Sequence, residues 1–174
     1  MAAIVMNFPF QHGFKLRNEV TEIGTFTGRE NVATLEVSDV DFKMRLPKIP
    51  VFLLETIVKE FKKDLSKENI LLIYWSVKEH SYYLARPKAI CDKISVVYEM
   101  THTNDVLVMT VHSHNTMHAE FSETDNNDEI YTGLFGVIGD LDKQCISMSF
   151  RAGLEGSFKK LAPSDIFSTG GDVA

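Results

Sequence analysis

Three of the six histidines, His112, His114 and His118, fall within seven residues, in the stretch VHSHNTMHAEFSETD. A neutral imidazole is the commonest side-chain ligand for a metal ion. His112 and His114 stand two apart at the end of an apolar run. Side chains at i and i+2 of a strand share one face, so two ring nitrogens can meet one ion without help from elsewhere. Two nitrogens hold zinc weakly; a catalytic zinc takes three protein ligands and keeps a fourth position for water. Asp125 is the candidate third ligand. Ser122-x-x-Asp125 has the form of a helix start, with the serine at the N-cap and an acid three residues later. A loop leaving the strand can fold back and turn that first helical turn toward the ion. Two histidines and one carboxylate suit zinc, iron or manganese, and an isolated His-x-His pair also occurs on ordinary protein surfaces.

These residues need a frame. Between Pro50 and Leu65, apolar side chains fall at Val51, Leu54, Ile57, Val58, Phe61 and Leu65, with Lys and Glu opposite. That spacing predicts an amphipathic helix, and Pro50 suits its first turn. Strands are expected on either side. Ahead of the helix they are Glu22–Phe26, Val32–Val37 and Phe42–Leu46, with Leu35, Val37, Phe42, Met44 and Leu46 alternating. After it come Ile70–Val77, a nearly continuous apolar run as in a strand buried on both faces, and its hairpin partner Ser81–Arg86. Ile94–Met100 and Val106–His112 follow. A short helix is expected from about Glu123. Leu134–Leu141 and Cys145–Arg151 then pair around Asp142-Lys143, and the last ten residues read as frayed. Cys91 and Cys145 sit in strand-like runs and read as core thiols. The fold class is α+β, a mixed and largely antiparallel sheet flanked by helices. Residues 1–46 form a β-rich N-terminal extension, 47–163 the main domain and 164–174 a tail.

The chain has 174 residues and a net charge of −6. An acidic chain with no basic cluster is not expected to bind nucleic acid through phosphates. No run approaches the roughly 20 apolar residues of a membrane span, and MAAIVMNFPFQHGF lacks the form of a secretory signal. With two cysteines far apart, a cytoplasmic, reducing setting is the expectation.

Taken whole, the motif is H-S-H-x7-S-x2-D, formed by His112, Ser113, His114, Ser122 and Asp125. It resembles the signature of the JAMM metalloproteases, also called MPN+ or JAB domains, in all five residue types and in every spacing. Asn115 stands where the most familiar form has proline. The flanking AEFSETDNNDE resembles bacterial and phage members, in which a small residue and Phe precede the serine. The resemblance is specific over Val111–Glu129, looser from about Pro50 to Phe158, and does not reach the N-terminal 45 residues.

The resemblance implies a JAB/MPN-like fold with a cytidine-deaminase-like α-β-α arrangement. It also implies one zinc ion per chain, held by His112, His114 and Asp125, with water in the fourth position at a pKa lowered to about 7. Ser122 would donate to the oxyanion of the tetrahedral intermediate; its plain alternative is an N-cap. A glutamate entering the strand after the long helix would act as general base. Glu68, which precedes His112 by 44 residues, fits this role, with Glu79 as rival. Glu55 and Glu60 read as solvated helix residues. His118 reads as a surface or substrate-facing residue, and Glu129 as either an orienting partner for a histidine N–H or a solvated helix residue. The implied substrate is a protein, with an isopeptide or peptide bond of a ubiquitin-like tail as one candidate; oligomeric state is left open. Two competing readings remain. An inactive MPN scaffold that only assembles partners would have lost ligands. A cupin-type barrel enzyme would need a histidine on a later strand, and none follows His118.

Overall fold

The computed structural model describes residues 13–92, 95–99 and 104–168, and for 88–92 and 95–99 the backbone alone. The amphipathic stretch forms helix α1, Val51–Phe61, capped at its start by Pro50, whose φ of −58° is already near helical. Leu53, Leu54, Ile57 and Phe61 enter the core. Each such side chain contributes about 1.5–3 kcal/mol by leaving water. The helix stops at Phe61, and Lys62–Leu65 turn away instead of continuing it as expected.

The central sheet has six strands in the order β12-β11-β10-β9-β5-β6. These are β5 (Ile70–Ser76), β6 (Ser81–Ala85), β9 (Val106–Ser113), β10 (Gly133–Gly139), β11 (Ser147–Leu154) and β12 (Ser157–Leu161). The class is thus α+β with a mixed, mostly antiparallel sheet. Within it β9 and β10 are the parallel pair, with Val137 opposite His112. A parallel pair cannot be closed by a hairpin and needs a crossover. Here the crossover is the polar stretch from His114 to Thr132, carrying the short helix α2 (Glu123–Asp128). This topology brings the end of β9, the end of β10 and the start of β5 to one edge of the sheet.

Ahead of α1 lies a three-stranded antiparallel sheet, β1 (Phe14–Val20), β2 (Gly24–Asn31) and β3 (Val37–Met44). Its strands differ from the expected ones, and β1 was not anticipated. Leu35 is no strand residue: it has φ 62° and is 66% exposed, in a tight turn where the Asn31 side chain accepts from the N–H groups of Ala33 and Thr34. The turn lets β2 and β3 pair where the alternation would have put a third strand. Ile23, Phe26, Val37 and Val40 join the same hydrophobic core as α1 and the central sheet. Lys159 Nζ meets Asp41 at 2.6 Å and Thr132 donates to Glu19 at 2.9 Å, so polar ties run along the same junction.

The last described residues are not frayed. Helix α3 (Pro163–Ile166) leads into β13 (Phe167–Ser168), which pairs in parallel with β4 (Ile49–Pro50) beside the start of α1. Ile166 is fully buried and Phe167 nearly so; two large apolar side chains anchor the segment. Residues 169–174 lie outside the described residues. Cys145 is exposed, not a core thiol, because the β10–β11 connection extends past the expected turn and β11 begins only at Ser147. Cys91 lies in β7 (Lys88–Asp92), paired with β8 (Ser95–Glu99), and its side chain is outside the described residues. Among the described residues, no helix is long and apolar enough to cross a membrane.

Candidate metal centre

The strand spacing does what it implies. His112, at the end of β9, and His114, just beyond it, turn their Nε2 atoms to one point, 3.2 Å apart. Asp125, in the first turn of α2, meets them there: its Oδ1 is 3.3 Å from His112 Nε2, and its Oδ2 is 3.6 Å from His114 Nε2. A tetrahedral zinc with bonds of about 2.0–2.1 Å separates neighbouring ligand atoms by about 3.3–3.4 Å. The three side chains therefore outline one face of a tetrahedron of that size. Among the described residues these three form the cluster of His, Cys, Asp and Glu able to hold a metal ion. With both Nε2 atoms unprotonated, the two imidazole nitrogens and the carboxylate present lone pairs to one another, and a cation between them would relieve that repulsion. The donor set fits a divalent zinc.

Local chemistry holds each donor. Ser122 caps α2 in a full capping box: its hydroxyl accepts from the Asp125 N–H, and its own N–H donates to Asp125 Oδ2 at 2.6 Å. The hydroxyl also donates to Oδ2 at 2.7 Å, which leaves Oδ1 toward His112. Burial works against ionisation of Asp125, but the two Ser122 hydrogen bonds and the imidazoles outweigh it and hold the carboxyl below its ordinary range. On the other side, His114 Nδ1 faces the His118 carbonyl at 3.4 Å, and His112 Nδ1 faces Glu129 Oε1 at 3.8 Å. Both rings thus turn Nε2 to the central point and Nδ1 to an oxygen behind it.

Ser113, between the two histidines, points away from them and is fully buried. Its N–H donates to the Asn69 carbonyl, and its hydroxyl accepts from the Asn69 N–H, both at 2.9 Å. The middle residue of the motif therefore fastens the segment that enters β5. Ile70 pairs with His112, and Glu68 precedes Asn69 on the segment that Ser113 holds. Glu68 is exposed there. Its rival Glu79 lies past the other end of β5, about 20 Å along a strand of this length, with Lys78 Nζ 3.3 Å from its carboxylate. Glu60 is taken up by Lys63 and by Arg86, at 2.8 Å, and Glu55 is exposed.

His118 has an exposed ring whose Nδ1 lies 2.7 Å from Asp140 Oδ2. The loop Asn115–Ala119 is pressed onto the end of β10: Asp140 N–H donates to Met117 O and Leu141 N–H to Asn115 O. Gly139 makes this approach possible, for a Cβ there would sit 2.1 Å from the Met117 oxygen and 2.7 Å from the Ala119 nitrogen. Gly139→Ala is expected to cost about 3 kcal/mol or more, because backbone has to move. The urea unfolding midpoint checks this; an unchanged midpoint contradicts the close approach.

Burial holds the His112 ring down to about 4, against the pull of Asp125. The zinc-free folded chain then binds fewer protons at this site than the unfolded chain between pH 6.5 and about 4. Stability from it is present above pH 6.5 and is lost as pH falls toward 4. Glu129, pushed up to about 7 by burial against the pull of Arg151, acts with the opposite sign, its contribution being lost as pH rises from 4.5 through 7. His112→Asn removes the His112 contribution while Glu129 and Arg151 stay in place. Zinc-free wild type is expected to lose roughly 3 kcal/mol more than the variant between pH 7 and pH 4. Urea titrations at the two pH values measure it, and parallel losses contradict it.

Glu129 is not a solvated helix residue. It is 7% exposed and receives Arg151 Nε at 3.0 Å and Nη2 at 2.6 Å on Oε2. Arg151 was not singled out from the sequence; the available signal was a lone cation in the apolar run Phe150–Leu154.

A sheet edge of a mixed α+β fold thus carries two convergent imidazoles and a capped carboxylate, a cluster that could hold a metal ion. Residues 52–151, more than half of the chain, match Prok-JAB, the prokaryotic homologs of the JAB domain, and the chain belongs to that family. A comparison with curated proteins gives no match.

Proposed function

We propose that this protein is a zinc-dependent hydrolase of the JAMM type that cleaves a peptide or isopeptide bond in a protein substrate. The observation that carries the reading is the set of three donor atoms, His112 Nε2, His114 Nε2 and an Asp125 carboxylate oxygen, at separations of 3.2–3.6 Å within a JAB-family chain. His112, His114 and Asp125 hold one zinc per chain, which when bound supplies a Lewis acid that brings the pKa of water near 7. Glu68 accepts the proton of the attacking water and returns it to the leaving amine. Ser122 turns its hydroxyl hydrogen from Asp125 Oδ2 to the carbonyl oxygen of the scissile bond, stabilising the charge that develops there. Asp125 stays in place during this turn because the Ser122 N–H still holds Oδ2. The fold is of the JAB/MPN kind, related to the cytidine-deaminase α-β-α arrangement, and the setting is cytoplasmic. A ubiquitin-like tail, extended and able to add along a sheet edge, is the substrate class favoured here. A scaffold without chemistry is disfavoured because no ligand position is lost.

The test is incubation of the zinc-loaded chain with amide-linked fusions of ubiquitin-like tails and with unrelated extended peptides. Chelator-sensitive cleavage restored by zinc is expected for the first group. Zinc bound with no cleavage of either group overturns the hydrolase reading in favour of the scaffold.

A further inference from the structure

The buried pair formed by Glu129 and Arg151 does nothing in the chemistry just described, yet it occupies the back of the centre. Arg151 is 5% exposed on β11 and is clamped between two rings, its Cζ 3.8 Å from the Phe121 centroid and 3.6 Å from that of Phe158. The clamp fixes the plane of the guanidinium, and a third donor, Nη1, bonds the Asn126 side chain of α2. Both Arg151 bonds to Glu129 land on the same oxygen, Oε2. Oε1 is left over, and it is Oε1 that lies 3.8 Å from His112 Nδ1. A guanidinium only donates and an ionised carboxylate only accepts. Held this way and ionised, Glu129 presents Oε1 as an acceptor to the back of the imidazole.

We infer that Glu129 and Arg151 are positioning residues that fix His112 as the Nδ1–H tautomer, leaving Nε2 unprotonated for a metal. The inference rests on the metal-centre reading above and deepens it. The two residues touch neither substrate nor reacting atoms. Arg151 sets the carboxylate, and the carboxylate sets the ring.

Glu129→Gln tests this with little change of volume. The Arg151 fork demands the amide oxygen, so the amide NH2 is turned toward His112. A donor facing Nδ1 favours Nδ1 as acceptor and moves the proton to Nε2, the nitrogen meant for the ion. In the zinc-free protein, the ring 15N shifts of His112 are expected to report Nδ1–H in wild type and Nε2–H in Glu129→Gln. The zinc Kd of the variant is expected to rise 10- to 100-fold, the usual range for loss of a partner behind a ligating histidine. A merely structural role lowers the melting temperature and leaves the tautomer alone. Unchanged 15N shifts with a Kd within twofold of wild type overturn the inference. If Glu129→Gln does not fold, Glu129→Asp keeps the charge but withdraws the carboxylate by one methylene. A weaker zinc Kd is expected there too, and an unchanged one in a folded protein overturns the inference. Should wild type itself bind no zinc, the metal-centre reading falls, while the tautomer comparison still decides the role of Glu129.

Discussion

His112→Ala is expected to purify as a folded chain that carries no zinc, where wild type carries one ion per chain. The ring supplies one of only three protein donors, and Asp125 with His114 alone cannot complete a tetrahedral face. The apparent zinc Kd is expected to rise on the order of a thousandfold or more, equivalent to about 4 kcal/mol of binding. Hydrolysis falls to the level of chelated wild type. The loss is expected to come from the metal and not from unfolding, because Glu129 keeps its Arg151 bonds and Asp125 its Ser122 bonds when the ring is removed. Metal content by mass spectrometry, together with a thermal melt, separates the two causes. A His112→Ala chain that keeps stoichiometric zinc contradicts the assignment of the ligand.

Glu68→Gln is expected to show the opposite division. Zinc content stays at one per chain, because Glu68 is not among the three donors that converge. The rate constant kcat falls by about 10²- to 10⁴-fold, the usual contribution of a positioned general base, with KM little changed. Glu79→Gln, altering a residue at the far end of β5, is expected to be indistinguishable from wild type. The reasoning is one of register. Ile70 stands opposite His112, and Ser113 clips Asn69 to the end of β9, so the entry segment that carries Glu68 begins at the same end of the sheet as the histidine pair. Steady-state kinetics on the three proteins decide it. Full activity in Glu68→Gln with none in Glu79→Gln reverses the assignment.

The parts of this site that were legible in the sequence are those set by short-range periodicity. Two residues on a strand share a face, so His112 and His114 could be read as a pair. A capping box has a fixed spacing, so Ser122 could be read as the start of the helix that carries Asp125. The helix α1 announced itself through its apolar stripe. Contacts made by pairing distant strands were not legible. Glu129 and Arg151 stand 22 residues apart and meet only because β11 lies beside β10, the strand that follows α2. The sequence offered no way to choose between Glu129 as a partner of His112 and Glu129 as a solvated residue. Ser113 was legible as a member of the motif, but its bond to Asn69 follows from the β5–β9 register. Alternation misled at Leu35, where a left-handed turn overrides the strand pattern, and at Cys145, where a longer connection delays β11. The N-terminal sheet was legible as β-rich, but not its packing against β11 and β12, which depends on side chains of Phe26, Val37 and Val40 reaching a core whose other half lies more than 100 residues away.

The most direct test of the metal centre is anomalous diffraction at the zinc edge from crystals of the zinc-loaded wild-type chain. One strong peak per chain is expected, about 2.0–2.2 Å from His112 Nε2, His114 Nε2 and an Asp125 carboxylate oxygen, with the fourth direction open to solvent. No peak, or a peak at another cluster such as His118 and Asp140, contradicts it.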